Sequence, residues 1–318
     1  MDAEKKNTVC VACGNERDNI VFYASEKRLG LGHKFDYMEC GLCLSLQLVS
    51  PPENMMQYYS SEYFSFRKLK NCGFIGSIFK RSAWLFYKWG IIRTVQPAYL
   101  NWLRILRATK HQAIADIGCG NGQLSYDLRC CGFDNQYGYD PFLPKEVKEP
   151  GLTLQGLELQ EVRGKFDIVM MNHSFEYMEY PQEIWGQLSK IVKEDGKLLI
   201  RLPVTDSEVW RKERADWFQL DPPRHLFIPS IKAMNDLGKK FGFHLFYTEF
   251  DSTEAQFAYT SLYKQGRKMV DHELEDYFSK EELKSLKAKA AQHNRYQIGD
   301  QVCLYYQKVA DLPKASSY

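Results

Sequence analysis

From Ala113 onward, short apolar runs alternate with stretches whose apolar positions recur every three or four residues. AIADIG reads as a strand that runs into the glycine-rich GCGNG and then into a helix with Leu124 and Leu128 on one face. QYGYDP forms a second strand ending at Asp140, and Phe166 to Met171 reads as a buried parallel strand followed by polar Asn172, His173 and Glu176. Pro181 opens a helix whose Ile184, Trp185, Leu188, Ile191 and Val192 share a face, and a turn at Asp195 and Gly196 feeds the strand KLLIRLPV. FGFHLFYTEF and QVCLYYQK supply two later strands. Between them an insertion over 252–299 has a helical pattern, with Ser279 and Glu282 as a capping box. Alternating strand and helix predict an α/β fold with a mainly parallel sheet and helices on both faces.

The segment before this domain has a different character. Between Tyr63 and Ala115 stand ten Lys or Arg, including Arg67, Lys68, Lys70, Lys80, Arg81, Lys88 and Arg93, and no Asp or Glu. The whole chain, with 42 basic and 40 acidic residues, carries only +2, so bulk charge demands no nucleic-acid partner and the basic character is local. In GFIGSIFKRSAWLFYKWGII the apolar residues cover more than one face of a helix, so this segment is expected to touch something on two sides. Packing over the main domain explains that pattern; so do an anionic lipid surface, a diphosphate-linked substrate and nucleic acid.

The 318 residues, 44% of them hydrophobic, suffice for one large domain and a small module, and exclude a disordered chain. No apolar run approaches the about 18 residues of a membrane span, and MDAEKKNTVC lacks a signal-peptide core, which predicts a cytoplasmic protein. Contact with the inner membrane face through 63–115 is compatible with that reading.

Thiols kept reduced there are free for metal, and four of the nine cysteines form two C-x2-C pairs, Cys10 with Cys13 and Cys40 with Cys43. Two such pairs can close a tetrahedral shell around structural Zn2+, with iron as the competing metal. A closed shell leaves no position for a substrate, so the metal supplies folding energy. The expected organisation is a zinc ribbon over 1–50, a basic aromatic helical connection over 51–111, and the α/β domain over 112–318.

Gly118, Gly120 and Gly122 make G-x-G-x-G, whereas the dinucleotide fingerprint needs glycine where Gln123 stands, which argues against NAD. Asp140, 24 residues past Asp116 and at a strand's C-terminal edge, is placed to accept ribose hydroxyls, so glycines and acid together favour a nucleoside ligand. On ADIGCGNG, GYDP and FDIVMMNHSFEYM, residues 112–250 resemble class I S-adenosylmethionine-dependent methyltransferases. The N-terminal CxxCG and ECGLCLSLQLVSPPENMMQYYSSEYF, with LDPPRHLFIPS and LGKKFGF, resemble zinc-ribbon-bearing sugar methyltransferases of bacterial glycan and antibiotic pathways.

The resemblance implies a Rossmann-like seven-stranded sheet and S-adenosyl-L-methionine as cofactor. Gly118, Gly120 and Gly122 would flank its methionine, Asp116 would hold its ammonium and Asp140 its ribose. Asn172 and His173 would lie near the sulfonium, and the loop around Gly156 to Glu158 would contact adenine. Where many relatives carry histidine after the fourth-strand glutamate, this chain has Tyr177, which receives no catalytic role.

Methyl transfer to a hydroxyl needs alignment and a general base. His225, in a proline-stiffened loop, is the expected base, with Arg224 positioning the substrate and His173 the rival base. The implied acceptor is a sugar or glycan, nucleotide-activated or lipid-linked. RNA base methylation is the alternative, weakened by NHSF where an Asn-Pro-Pro-Tyr-like motif would stand. A non-catalytic scaffold is disfavoured by the intact glycines and Asp140.

Overall fold

The computed structural model describes residues 9–59, 69–92, 97–269 and 273–309. Arg67, Lys68 and Arg93 of the basic segment lie outside them. Three strands come first: β1 (Ile20–Ser25), β2 (Lys34–Glu39) and β3 (Leu46–Leu48). Two helices follow from the basic segment, α1 (Gly73–Lys88) and α2 (Tyr99–Ile105). Next come β4 (Ile114–Ile117), α3 (Gln123–Cys130), β5 (Gln136–Tyr139), β6 (Val147–Glu149), β7 (Leu152–Gln155) and β8 (Phe166–Asn172). The chain continues through α4 (Pro181–Ile191), β9 (Val192–Pro203), α5 (Glu208–Glu213), β10 (Phe227–Ile228), α6 (Ile231–Lys240) and β11 (Phe243–Phe250). It ends with α7 (Ala255–Lys264), α8 (Lys280–Arg295) and β12 (Gln301–Lys308). Among the described residues no helix is long and apolar enough to cross a membrane.

The main sheet runs β11-β12-β9-β8-β4-β5-β7-β6. Its parallel centre, β9-β8-β4-β5-β7, consists of the apolar runs read from the sequence, and all four residues of β4 are buried. The sheet has eight strands where seven are expected, and the short β6 pairs antiparallel with β7 at its edge. Asp195, with φ 59°, does not separate two elements as its turn chemistry suggests, because β9 continues from Val192 through it. Helix α4 starts on Pro181 and buries Ile184, Trp185, Leu188 and Ile191, each aliphatic side chain contributing about 2 kcal/mol. The Ser279–Glu282 capping box starts α8.

The cysteine-bearing segment is sewn into the main domain. β10, only two residues long, pairs antiparallel with β3 and completes a four-stranded sheet β1-β2-β3-β10. The Tyr37 hydroxyl donates to the His225 carbonyl at 2.7 Å, and Ser230 Oγ donates to the Cys43 carbonyl at 2.6 Å. Tyr37, Leu46, Trp210, Trp217 and Ile228 share one apolar cluster. So small a sheet cannot bury a core of its own, and it packs on the main domain through these bonds to the loop 221–230.

Candidate active site

The C-terminal ends of β4, β5 and β8 open onto a cleft of about 840 Å³, within the roughly 300–1,000 Å³ of small-molecule sites. Asp116, Gly118, Gly120, Asp140, Asn172 and His173 all line it, whereas Gly122 does not; Glu158 of the loop expected near adenine lines it too, with the adjacent Leu159. The glycines are dictated by geometry. Gly118 has φ +73° and an added Cβ would sit 2.3 Å from the Ser174 Cβ; Gly122 has φ +82° and the same atom would meet Leu154 Cδ1 at 2.3 Å. Ser174 therefore closes on the loop, its Oγ donating to the Ile117 carbonyl at 2.7 Å.

Asp140 pins the same loop. One carboxylate oxygen accepts the Gly120 amide and the other the Phe142 amide, both at 2.8 Å, leaving further lone pairs for a ligand's hydroxyls. Burial raises its pKa and these two amides oppose the rise. Asp116 is deeper. Burial, reinforced by the nearby charge of Asp140, pushes its pKa up to about 7, and among the described residues its Oδ1 has no hydrogen-bond partner. Buried in the cleft wall with Oδ1 unpartnered, this carboxyl would be favoured in its charged form by a nearby cation.

At the end of β8, His173 takes a left-handed φ of 52°. Its amide is held by the Arg201 carbonyl at 2.9 Å, and its Nδ1 hydrogen-bonds Glu176 Oε1 at 3.0 Å. Glu176 is fully buried. The carboxylate accepts from Nδ1–H and so orients the ring. Asn172 is held by Arg201, which donates to its Oδ1 at 3.1 Å.

A smaller cavity, about 270 Å³, shares Arg28, His173 and Tyr177 with the large cleft and adds His225, Gln219, Asp221, Gln256, Asp300 and Gln301. Its lining is mostly hydrogen-bonding. His225 is buried edge-on to Tyr177, with ring centres 4.9 Å apart, and its Nδ1 donates to the Gln219 carbonyl at 2.7 Å. Burial pushes its pKa down against the pull of Asp221 and Glu176.

Arg224 corrects the expectation of a substrate contact. Only 1% exposed, it donates to Asp221 at 2.6 and 2.9 Å, to Glu26 at 3.0 Å and to the Tyr58 carbonyl at 2.7 Å, and it lines neither cavity. Burial alone would raise the pKa of Asp221, but Arg224 and Arg28 outweigh it and hold the carboxyl well below the usual range. Arg224 thus ties its loop to Glu26 and Tyr58 of the N-terminal segment. The cation that does reach the cavities is Arg28, which sequence reasoning missed; it stands between β1 and β2, and its Nη1 lies 3.5 Å from Asp221. Glu176 was noted only as a polar residue, although its spacing of three from His173 was a readable sign of a pair.

Outside the residues that line either cavity, the Sγ atoms of Cys10, Cys13, Cys40 and Cys43 lie within 4.8 Å of one another. The pairs Cys10–Cys43 and Cys13–Cys40 are 3.6 Å apart, and Cys40 Sγ accepts the amides of Leu42 and Cys43 at 3.4 Å. A zinc–sulfur bond of about 2.3 Å separates tetrahedral sulfurs by roughly 3.8 Å, so this donor set could hold such an ion. His33 is bonded to the Tyr58 hydroxyl at 3.0 Å and stands outside that donor set.

Residues 98–248 match the family model described as a methyltransferase domain. The glycine loop, Asp116 and Asp140 lie within that matched segment, where the cleft opens. The fold is similar to a cyclopropane synthase from Mycobacterium tuberculosis, at 16% identity and TM-score 0.43, covering 68% of this chain and 86% of that one. It is also similar to magnesium protoporphyrin IX methyltransferase from Synechocystis with bound S-adenosylhomocysteine (13%, 0.45, 75% and 89%). An S-adenosylmethionine-dependent methyltransferase from Mesorhizobium loti gives 12%, 0.45, 67% and 99%. No curated protein sequence matches the chain.

Proposed function

We propose that the protein is an S-adenosylmethionine-dependent methyltransferase acting on a sugar or glycan, nucleotide-activated or lipid-linked, and that the 270 Å³ cavity receives the sugar. The observation that carries the reading is the cavity's polar wall, which meets the cofactor cleft at His173. Gln219, Gln256 and Gln301 suit a ligand dense in hydroxyls, and Arg28 at the junction suits its phosphate. The resemblance of the N-terminal segment to sugar methyltransferases points the same way.

The cofactor's part is to supply the methyl group on a sulfonium. The chain's part is to hold the amino acid end at Asp116, the ribose at Asp140 and the acceptor against His173. Of the two candidate bases, His173 has the stronger position: it faces both cavities and Glu176 orients it, whereas His225 faces the small cavity alone. His173 Nε2 would take the acceptor proton, and His225 would shape the acceptor's seat. We assign Cys10, Cys13, Cys40 and Cys43 to structural Zn2+, which would brace the 221–230 loop through β3 and β10.

The test is a screen for cofactor-dependent mass gain of about 14 Da across nucleotide sugars, lipid-linked glycans and RNA. Gain on a sugar acceptor, lost in His173→Gln with S-adenosylhomocysteine binding retained, supports the proposal. Gain on RNA alone, or full activity of His173→Gln, overturns it.

A further inference from the structure

Helix α1 is built for two environments. Trp84 and Tyr87 are buried against the main domain, while Phe74, Ile75, Phe79 and Trp89 at its end are 83%, 70%, 71% and 68% exposed. At 100° per residue, the exposed Phe74, Ile75, Ile78, Phe79, Phe86 and Trp89 fall within an arc of about 140°. Six large apolar side chains on one face far exceed the scattered exposure normal on a soluble surface. Exposed Arg81 and Lys88 lie within about 40° of one edge of the arc, and no acidic residue occurs between Tyr63 and Ala115. An apolar arc with cations along one edge complements a surface that is oily within and negative outside.

We propose that α1 lies in the interface of an anionic lipid bilayer, with its apolar arc among the upper acyl chains and Arg81 and Lys88 at the headgroup level. The helix is anchored rigidly to the cofactor cleft. The Lys70 amide donates to Gln123 Oε1 at 2.7 Å, the Cys72 amide to the Tyr126 hydroxyl at 3.3 Å, and Lys80 pairs with Asp127. Gln123 and Asp127 line that cleft, so docking of α1 brings the cleft's rim to the membrane, where an amphiphilic acceptor would be met.

The test is co-sedimentation of the full chain with phosphatidylcholine vesicles, with and without about one-third phosphatidylglycerol. Binding is expected only with the anionic lipid, and weaker in about 1 M salt. The double variant Phe74→Ser with Phe79→Ser should lower vesicle affinity about tenfold or more, and Lys88→Glu should lower it less. Calorimetry with S-adenosylhomocysteine should be unchanged in the double variant, because neither side chain lines the cleft, so the docking claim fails or stands apart from the methyltransferase reading. The proposal is overturned if the chain stays in the supernatant, binds neutral vesicles equally, or keeps its affinity in the double variant. It is also overturned if sedimentation shows a dimer that this variant dissociates, or if α1 binds RNA in place of vesicles.

Discussion

Replacing Asp116 by asparagine isolates the electrostatics of the cofactor cleft. In the ligand-free fold, burial and Asp140 raise the carboxyl from 3.8 to about 7, equivalent to roughly 4 kcal/mol between its charged and neutral forms. Because the folded value is the higher one, the group destabilises the ligand-free protein increasingly as pH rises from 3.8 to about 7, and no further above that. A ligand ammonium beside Oδ1 reverses the effect by favouring the ionised form. S-adenosylhomocysteine, which keeps that ammonium, should therefore bind more weakly as pH falls below 7, by up to about tenfold per unit. Asp116→Asn should lower its affinity about tenfold to hundredfold at pH 8, or about 1.4 to 2.7 kcal/mol, and flatten this pH dependence. The ligand-free variant should be about 1–3 kcal/mol more stable than the parent at pH 8, after allowance for an amide with an imperfect partner. Titration calorimetry and denaturant unfolding at pH 5.5, 7 and 8 provide both numbers. An unchanged affinity with an unchanged slope in Asp116→Asn would refute the assignment.

Three further perturbations address other parts of the molecule. Gly118→Ala places a methyl 2.3 Å from the Ser174 Cβ at φ +73°, and should cost about 2–4 kcal/mol in chemical unfolding; a loss below 0.5 kcal/mol would mean the loop is not packed as described. Arg224→Lys keeps the charge but leaves a buried network of Asp221, Glu26 and the Tyr58 carbonyl under-satisfied, so a loss of about 3–5 kcal/mol is expected, and a neutral result would contradict this tie. Cys40→Ser, or removal of metal by a chelator, should release one zinc per chain in elemental analysis and lower the unfolding temperature. A chain that binds no zinc as purified from zinc-replete medium would oppose the assignment.

The parts of the fold legible in the sequence are those set by short-range pattern. The run AIADIG became a wholly buried strand, Pro181 opened its helix, and Ser279 with Glu282 capped another, because each depends on residues a few positions apart. The cleft residues Asp116, Gly118, Gly120, Asp140, Asn172 and His173 came together because a parallel sheet delivers successive strand ends to one edge. What was illegible is non-local. Arg224 reads as a free cation until Glu26, 198 positions away, is folded against it. β10 is too short at Phe227–Ile228 to carry a period, and its pairing with β3 depends on the ribbon being in place. Arg28 gave no local sign because its neighbours in the cavities, His173 and Tyr177, lie far along the chain. The apolar excess of α1 was visible, but only burial separates Trp84 and Tyr87, which pack inward, from Phe74 and Phe79, which do not.

The most direct measurement is a crystal structure of the full chain with S-adenosylhomocysteine. The account predicts the ligand's amine against Asp116, both ribose hydroxyls on Asp140, adenine beside Glu158 and Leu159, and the sulfur facing His173. A ligand elsewhere on the molecule, or a cleft closed to it with Asp116 paired to a protein cation, would contradict it.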